Sequence, residues 1–457
     1  MSIVRQMLHA LLASRIPICY LAGPGNLNRI FRECGWRQFS DSDLSLGLAG
    51  NASRVAYDLL DWKTGIMVAT IEAAQLTNLR ALIERRHYEV VEMIRRLVEI
   101  ESPSGDPQGS GDVNQLLENA ARTIPSIRSL ERIASPNCGE HLLIRAFGNE
   151  GQDAQPTLIL GHTDTVHPRG TLNGAQGLRI KDGRFYGPGI FDMKASCVIA
   201  IEALRCLTTL ALGPRRPVTL LFTCDEEIGS ATGRPLVERE ARQAAQVLVI
   251  EPPSPGGCAK TARKGVGAWT VTAQGIASHA GLNPEKGASA ILELARQTER
   301  LHALNDSAHG TSFNVGLIRG GTRSNVVAAH AEMEVDVRFG ATREAHRVQE
   351  LMNNLEPFDE RVSLTVKGGI NRGPLERTAG VIKLFHHARE MAARIGFDLK
   401  ESAVGGASDG NFVAALNVPV LDGLGVDGDG AHAAHEHILL QDITPRTALL
   451  ACLMATL

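Results

Sequence analysis

The sequence predicts an α/β protein, a mostly parallel sheet flanked by helices, with a smaller α+β domain inserted into it. Three observations carry this expectation. Short apolar strands alternate with helical stretches, and each of these strands runs directly into a polar turn. The texture then changes near Lys264 and reverts after Arg372. Alternation of this kind reads as a parallel sheet covered on both faces.

Residues 1–74 carry little periodicity and stand as an N-terminal extension without an assigned role. Leu79, Leu82 and Ile83, then Val90, Met93, Ile94 and Leu97, recur at helical spacing and stop before Ser102-Pro103-Ser104-Gly105. A strand at 157–160 runs into Gly161-His162-Thr163-Asp164. The turn Gly187-Pro188-Gly189-Ile190-Phe191-Asp192 opens an apolar helix over about 193–212. Strands at 218–224 and 247–250 end in Asp225-Glu226-Glu227 and Glu251. From 264 to 371 come a strand at 269–273, a helix at 284–304 and a strand at 331–339. In the last, Ala331, Met333, Val335, Val337 and Phe339 face one way and Glu332, Glu334, Asp336 and Arg338 the other. One-sided alternation belongs to an antiparallel sheet with one face toward water. The helix containing Val381, Leu384, Phe385, Ala388, Met391 and Ile395 returns to the first texture. The expected organisation is therefore 75–263 and 372–457 as one domain, with 264–371 inserted.

The 457 residues are 44% hydrophobic and 21% charged, enough for a sizeable core. Lys and Arg total 47 against 50 Asp and Glu, a net −3, which argues against the clustered positive charge of a nucleic-acid binder. No run of 18 apolar residues marks a membrane span. The eight cysteines form no CxxC pair, so they read as free thiols. The apolar stretch near Met7 is broken by Arg15 and Pro17 and makes no clear signal peptide; the expected location is cytoplasmic.

The acids and histidines concentrate where strands end. His162 and Asp164 close one strand, Glu226 and Glu227 a second and Glu251 a third, while Asp192 lies on a Gly-rich turn at a helix start. Open parallel sheets bind ligands outside the carboxyl ends of their strands, so these groups are expected to converge. Gathered carboxylates repel and lose hydration at severe cost unless cations neutralise them. Two divalent ions fit the count better than one. Imidazole with carboxylate and no thiolate suits Zn²⁺ and related ions. In His-x-Asp the acid can hold the ring's other N–H and set its tautomer. Adjacent side chains diverge at a strand end, so one glutamate can bind metal while the other faces a water as general base. Singly, each residue has a plainer reading: a hydrogen-bonded strand-end histidine, a solvated Glu-Glu turn, a loop acid before Pro252-Pro253. Their joint placement points to chemistry.

These residues carry a resemblance. Gly-His-Thr-Asp-Thr-Val at 161–166, Gly-Pro-Gly-Ile-Phe-Asp-Met-Lys at 187–194, Asp-Glu-Glu-Ile-Gly-Ser at 225–230 and Glu251 resemble the co-catalytic zinc family of aminoacylases and glutamate carboxypeptidases, peptidase family M20. The resemblance runs from about residue 76 to the C-terminus. Asp422-Gly423-Leu424-Gly425 and Ser408-Asp409-Gly410-Asn411 look closest to its glutamate carboxypeptidase branch. It implies a zinc-exopeptidase-like catalytic domain with 264–371 as lid and dimerisation domain, and two Zn²⁺ per chain, with Co²⁺ or Mn²⁺ as substitutes. His162 and Glu251 would hold one ion, Glu227 and His432 the other, and Asp192 would bridge both. Asp164 would orient His162, and Glu226 would be the general acid/base. Among His432, His435 and His437 the family pattern, a histidine with Glu436 four residues later, selects His432.

In the inserted domain, His279 of Gly-Ile-Ala-Ser-His-Ala-Gly matches a histidine that reaches the partner subunit's site as an oxyanion donor. Asn325 matches a substrate-contacting asparagine, although Ala328 stands where a proline is usual. Arg372 resembles an arginine that clasps the substrate's α-carboxylate with its guanidinium fork. Gly405 opens the Gly-rich loop beside the leaving amino acid. The implied activity is hydrolysis of an amide in a small N-acyl amino acid or short peptide, releasing a free amino acid, by a homodimer with no nucleic-acid or membrane partner. The alternatives are an N-acyl amino acid deacylase or desuccinylase of the same family, and a non-catalytic metal-binding or assembly relative. An intact Glu226 speaks against the last, because a pure scaffold has no need of a free base.

Overall fold

The computed structural model describes residues 71–148, 154–174 and 176–457, so the N-terminal extension up to residue 70 lies outside the described residues. A six-stranded sheet forms the centre, in the order Ile127–Ser135, Gly139–Ala146, Val218–Thr223, Thr157–His162, Gln246–Val249, Val420–Leu421. Its last four strands run parallel, and the first two add an antiparallel edge. Every residue of Thr157–His162, Val218–Thr223 and Gln246–Val249 is buried, as expected for strands covered on both faces.

The pleat divides the core. Ile159 and Leu220 point to one side, where Ala195–Thr209 and Ile443–Thr456 pack with the helices Ala73–Arg85, His87–Val98 and Pro107–Arg122. Leu158, Leu160 and Leu221 point to the other, against Leu236 and Val237 of Gly233–Gln243 and against Phe412. The helix Ala195–Thr209 is apolar almost all round and correspondingly buried. Among the described residues no helix is long and apolar enough to cross a membrane, and the described cysteines are free thiols.

A second, fully antiparallel sheet runs in the order Ser312–Gly320, His330–Phe339, Gly265–Gln274, Ser363–Arg372. In His330–Phe339 the odd-numbered residues are buried and the even-numbered ones turn outward, as the alternation requires. Their partners Trp269, Val271 and Ala273 complete a separate core under the helices Ala290–His302 and Thr342–Asn353. The expected helix over 284–304 is shorter. Pro284–Lys286 forms a single 3₁₀ turn, and the helix starts only at Ala290, where the Ser289 hydroxyl accepts from the Leu292 amide.

The chain passes between the two sheets twice, at 263–265 and at 372–373. Asn411 ties both crossings together. Its side chain is fully buried; Nδ2 donates to the carbonyls of Lys264 at 3.1 Å and Gly373 at 2.7 Å, while Oδ1 accepts from the Ser408 amide at 3.0 Å. Asn411→Ala should therefore orphan two carbonyls and an amide and cost about 1–3 kcal/mol. Urea denaturation measures this, and an unchanged midpoint would mean that the crossings are held by other contacts.

Candidate metal centre

The parallel strands end side by side, and the residues just beyond each end decide the chemistry. His162 closes Thr157–His162, Glu226 and Glu227 come after Val218–Thr223, and Glu251 after Gln246–Val249. Asp192 comes from the turn that precedes Ala195–Thr209, where a cis peptide joins it to Met193. His432 comes from the loop between the short strands Gly428–Asp429 and His437–Leu439. Its φ of 63° lies in the left-handed region, a conformation costing a non-glycine residue about 1–2 kcal/mol.

Asp192 stands between two histidines. Its Oδ1 lies 3.1 Å from His162 Nε2, and its Oδ2 lies 3.5 Å from His432 Nε2. On the outer side of His162, Nε2 is 3.6 Å from Glu251 Oε1; on the outer side of His432, Nε2 is 3.1 Å from Glu227 Oε2. The ligand atoms of His162, Asp192 and Glu227 lie within 4.8 Å of one another, as do those of His162, Glu226 and Glu251. His162, Asp192, Glu226, Glu227, Glu251 and His432 thus gather in one place. Except for His162, they line a cavity of about 350 Å³.

The donor set fits divalent cations on this structure's own terms. Glu227 Oε1 is buried with no hydrogen-bond partner among the described residues, a costly state for a carboxylate oxygen unless a cation meets it. The set is imidazole and carboxylate. Burial pushes the nearby Cys197 thiol up to about 12, which keeps it a neutral thiol. Burial, with Asp409 and Glu251 nearby, holds Glu226 well above the usual carboxylate range. Burial and Asp192 push Glu251 up to about 7. Hydrogen bonds to Asp192 and Glu227 push His432 up to about 10. At His162 burial opposes the charged ring, but Asp164 and Asp192 outweigh it and raise the pKa well above the ordinary value.

Supporting contacts aim these groups. His162 Nδ1 lies 3.0 Å from the Asp164 carbonyl and 3.5 Å from its carboxylate, so a proton on Nδ1 leaves Nε2 free to bind. The main chain of Asp164 thus shares the orienting role expected of its side chain. That carboxylate also accepts from Ser104 Oγ at 2.6 Å and from the amides of Glu226 and Glu227, both at 3.2 Å, which fixes the Glu-Glu turn. Glu436 accepts four donors: His167 Nε2 at 2.6 Å and the amides of Gly189, Phe191 and Asp192 at 2.8, 2.9 and 3.0 Å. It thereby pins the turn carrying Asp192 to the loop carrying His432. Gly189 is required in that turn: its φ is 69°, and a Cβ there would meet Thr165 Cγ2 at 2.3 Å. Behind Glu251, Arg263 Nη2 lies at 3.6 Å, while the same guanidinium grips Asp422 at 2.7 and 2.8 Å.

Four other expected residues stand outside this cluster, among them His279, whose expected place is the partner subunit's site. His279 and Asn325 neighbour each other in the second sheet's loops, where the Ala280 amide donates to the Asn325 carbonyl. Neither lines the cavity. Gly405 is exposed, and its neighbours Val404, Gly406 and Ala407 form the wall instead. Arg372, expected to face a substrate carboxylate, is buried in contacts with Glu226, Ser230 and Asp409. His435 contributes its carbonyl to His437 Nδ1, and His437 stacks on Tyr186 with ring centroids 5.0 Å apart, so of the three C-terminal histidines His432 alone faces the acids. Sequence reasoning missed His167, Ser230, Arg263 and Asp422 as supports. Each is an ordinary polar residue whose partner lies far away in the chain.

Comparison with known proteins agrees with this geometry. Residues 158–456 match Peptidase family M20/M25/M40. The chain is 28% identical over 369 residues to carboxypeptidase G2 of Pseudomonas sp. (strain RS-16), covering 79% of this chain and 87% of that protein. It is 29% identical over 370 residues to the succinyl-diaminopimelate desuccinylase of Delftia acidovorans, covering 76% and 92%. Its fold is similar to that of the Bacillus subtilis YXEP protein, described as a dinuclear metal binding peptidase from the M20 family, with a TM-score of 0.58 at 15% identity over 81% of this chain and 98% of that one. The chain belongs to Peptidase family M20/M25/M40 and is a metal-dependent hydrolase.

Proposed function

We propose that this protein is a two-metal hydrolase that releases a free amino acid from an amide, with glutamate carboxypeptidase-like specificity. The observation that carries the two-metal reading is the Asp192 carboxylate, whose two oxygens face two different histidines. His162 with Glu251 on one side, and His432 with Glu227 on the other, supply the remaining ligands. Zn²⁺ suits the donors, with Co²⁺ or Mn²⁺ as substitutes. The YXEP protein's dinuclear description supports the same count. Bound at this place, such ions polarise a substrate carbonyl and lower the pKa of a water.

The chain's own groups do the rest. Arg372 holds Glu226 Oε1 at 3.1 Å, which leaves Oε2 to take a proton from the attacking water and return it to the leaving nitrogen. His162 keeps its Nδ1 proton on Asp164 throughout, so Nε2 stays available. Lys260 supports an acidic substrate: it lines the cavity, and its ammonium has no hydrogen-bond or ion-pair partner among the described residues, whereas Arg263 beside it is taken by Asp422. The name of the carboxypeptidase relative favours the exopeptidase reading. The desuccinylase relative favours a deacylase as the second reading. We also propose a homodimer through residues 264–371, in which His279 serves the partner's site, with Asn325 and the loop at Gly405 contacting substrate, in the cytoplasm.

A substrate screen separates the readings. Turnover of N-benzoyl-L-glutamate above N-succinyl-L,L-diaminopimelate is expected, and the reverse order would favour the deacylase. Chelation should abolish activity and Zn²⁺ should restore it. Glu226→Gln should lower kcat by about 10²- to 10⁴-fold while bound metal stays near two per chain; wild-type rates in that variant would remove Glu226 from the proton path. His432→Ala should lower the metal content measured by atomic absorption and His435→Ala should not. Because hydrogen bonds to Asp192 and Glu227 push His432 up to about 10, an arriving cation must expel its proton at pH 7. Zinc binding should therefore release protons and tighten as pH rises. Calorimetric titration in two buffers of different ionisation enthalpy tests this, and equal heats would contradict it.

A further inference from the structure

The sequence casts Arg372 as a fork for the substrate's carboxylate. The geometry points instead to Arg372 as a positioning residue that holds the proton-carrying Glu226, with Asp409 as its anchor. This rests on the proposed role of Glu226.

A guanidinium grips a carboxylate bidentately along either of two edges, Nε with Nη2 or Nη1 with Nη2, and Nη2 belongs to both. In Arg372 that shared nitrogen is fully engaged. It donates to Ser230 Oγ at 2.7 Å, Asp409 Oδ1 at 2.9 Å, Glu226 Oε1 at 3.1 Å and the Glu226 carbonyl at 3.3 Å. Nη1 turns to Asn371 Oδ1 at 3.3 Å. Arg372 is only 7% exposed, and its guanidinium carbon lies 4.9 Å from the centre of the Phe412 ring. A substrate carboxylate would have to evict Asp409 or Glu226 to gain a paired grip.

The anchor is as firmly built. Asp409 is buried; its Oδ2 accepts from Thr223 Oγ1 at 3.1 Å, and its Oδ1 accepts from Ser230 Oγ as well as from Arg372. Thr223 ends the strand that delivers Glu226. The cation therefore sits between two acids that would otherwise repel, fixed on one and holding an oxygen of the other. Loss of that cation would leave Glu226 free to swing away from the site without removing any group that touches substrate.

The two roles predict different kinetics. As a positioning residue, Arg372→Met should lower kcat by about 10²-fold with KM changed less than about threefold, and Asp409→Asn should behave alike. Arg372→Lys should recover kcat to within about tenfold of wild type, because a single ammonium can still bridge Asp409 and Glu226. A clasp needs the fork, so under that role Lys would raise KM as Met does. Adding Arg372→Met to Glu226→Gln should cost little more than Glu226→Gln alone. These values are read with N-benzoyl-L-glutamate on zinc-loaded protein, with bound metal and thermal midpoint measured for each variant. If Arg372→Met does not fold, the Lys and Asn variants decide by the same split. A raised KM with kcat preserved in any Arg372 variant overturns the inference. Wild-type kcat in Glu226→Gln would instead overturn the proton role on which it rests.

Discussion

The structure depends on one electrostatic constraint: four carboxylates and two imidazoles are brought within a few ångströms of one another, most of them buried and only His432 substantially exposed. Asp192 is the pivot, because its two oxygens face the two histidines. Such a cluster is unfavourable as bare charge. The chain offsets part of it with buried cations, Arg263 behind Glu251 and Arg372 behind Glu226. Glu227 Oε1, buried without a partner among the described residues, marks where the need for further positive charge is sharpest.

Rigidity makes the constraint tolerable. The three strands that deliver His162, Glu226, Glu227 and Glu251 are buried along their whole length and hydrogen-bonded to one another, so their ends have little freedom. The two members of the cluster that do not come from these strands, Asp192 and His432, are tied by a different device. Glu436 hooks three amides of the Asp192 turn from within the loop of His432. A charged acceptor that satisfies several backbone donors at once fixes a turn more firmly than apolar contact does. The second sheet attaches through Asn411 and Arg372, and the second of these also touches the acid cluster at Glu226.

Much of this is legible in the sequence. Apolar runs bounded by turns identify the parallel strands, because burial on both faces demands continuous hydrophobicity, and alternation at 331–339 identifies a half-exposed sheet. Local chemistry shows as well: His162, Asp192, Glu227, Glu251 and His432 sit on turns at the ends of such elements, and they do converge. The edge strands Ile127–Ser135 and Gly139–Ala146 are silent because their pairing, not their composition, makes them strands. The late helix start at Ala290 is hidden because a 3₁₀ turn can satisfy the same apolar spacing.

The sequence by itself therefore determined the kind of protein and the inner ring of acids and histidines, since both arise from local pattern: side-chain type, period and the turn at each strand end. Tertiary structure alone decided which groups stand behind that ring. Glu436 on Gly189, Arg263 on Asp422 and Arg372 on Asp409 are contacts between residues tens to hundreds of positions apart. An arginine looks the same in a sequence whether it waits for a substrate or is already spent on a neighbour. Only folding, which chooses the acid it meets and the water it loses, distinguishes the two.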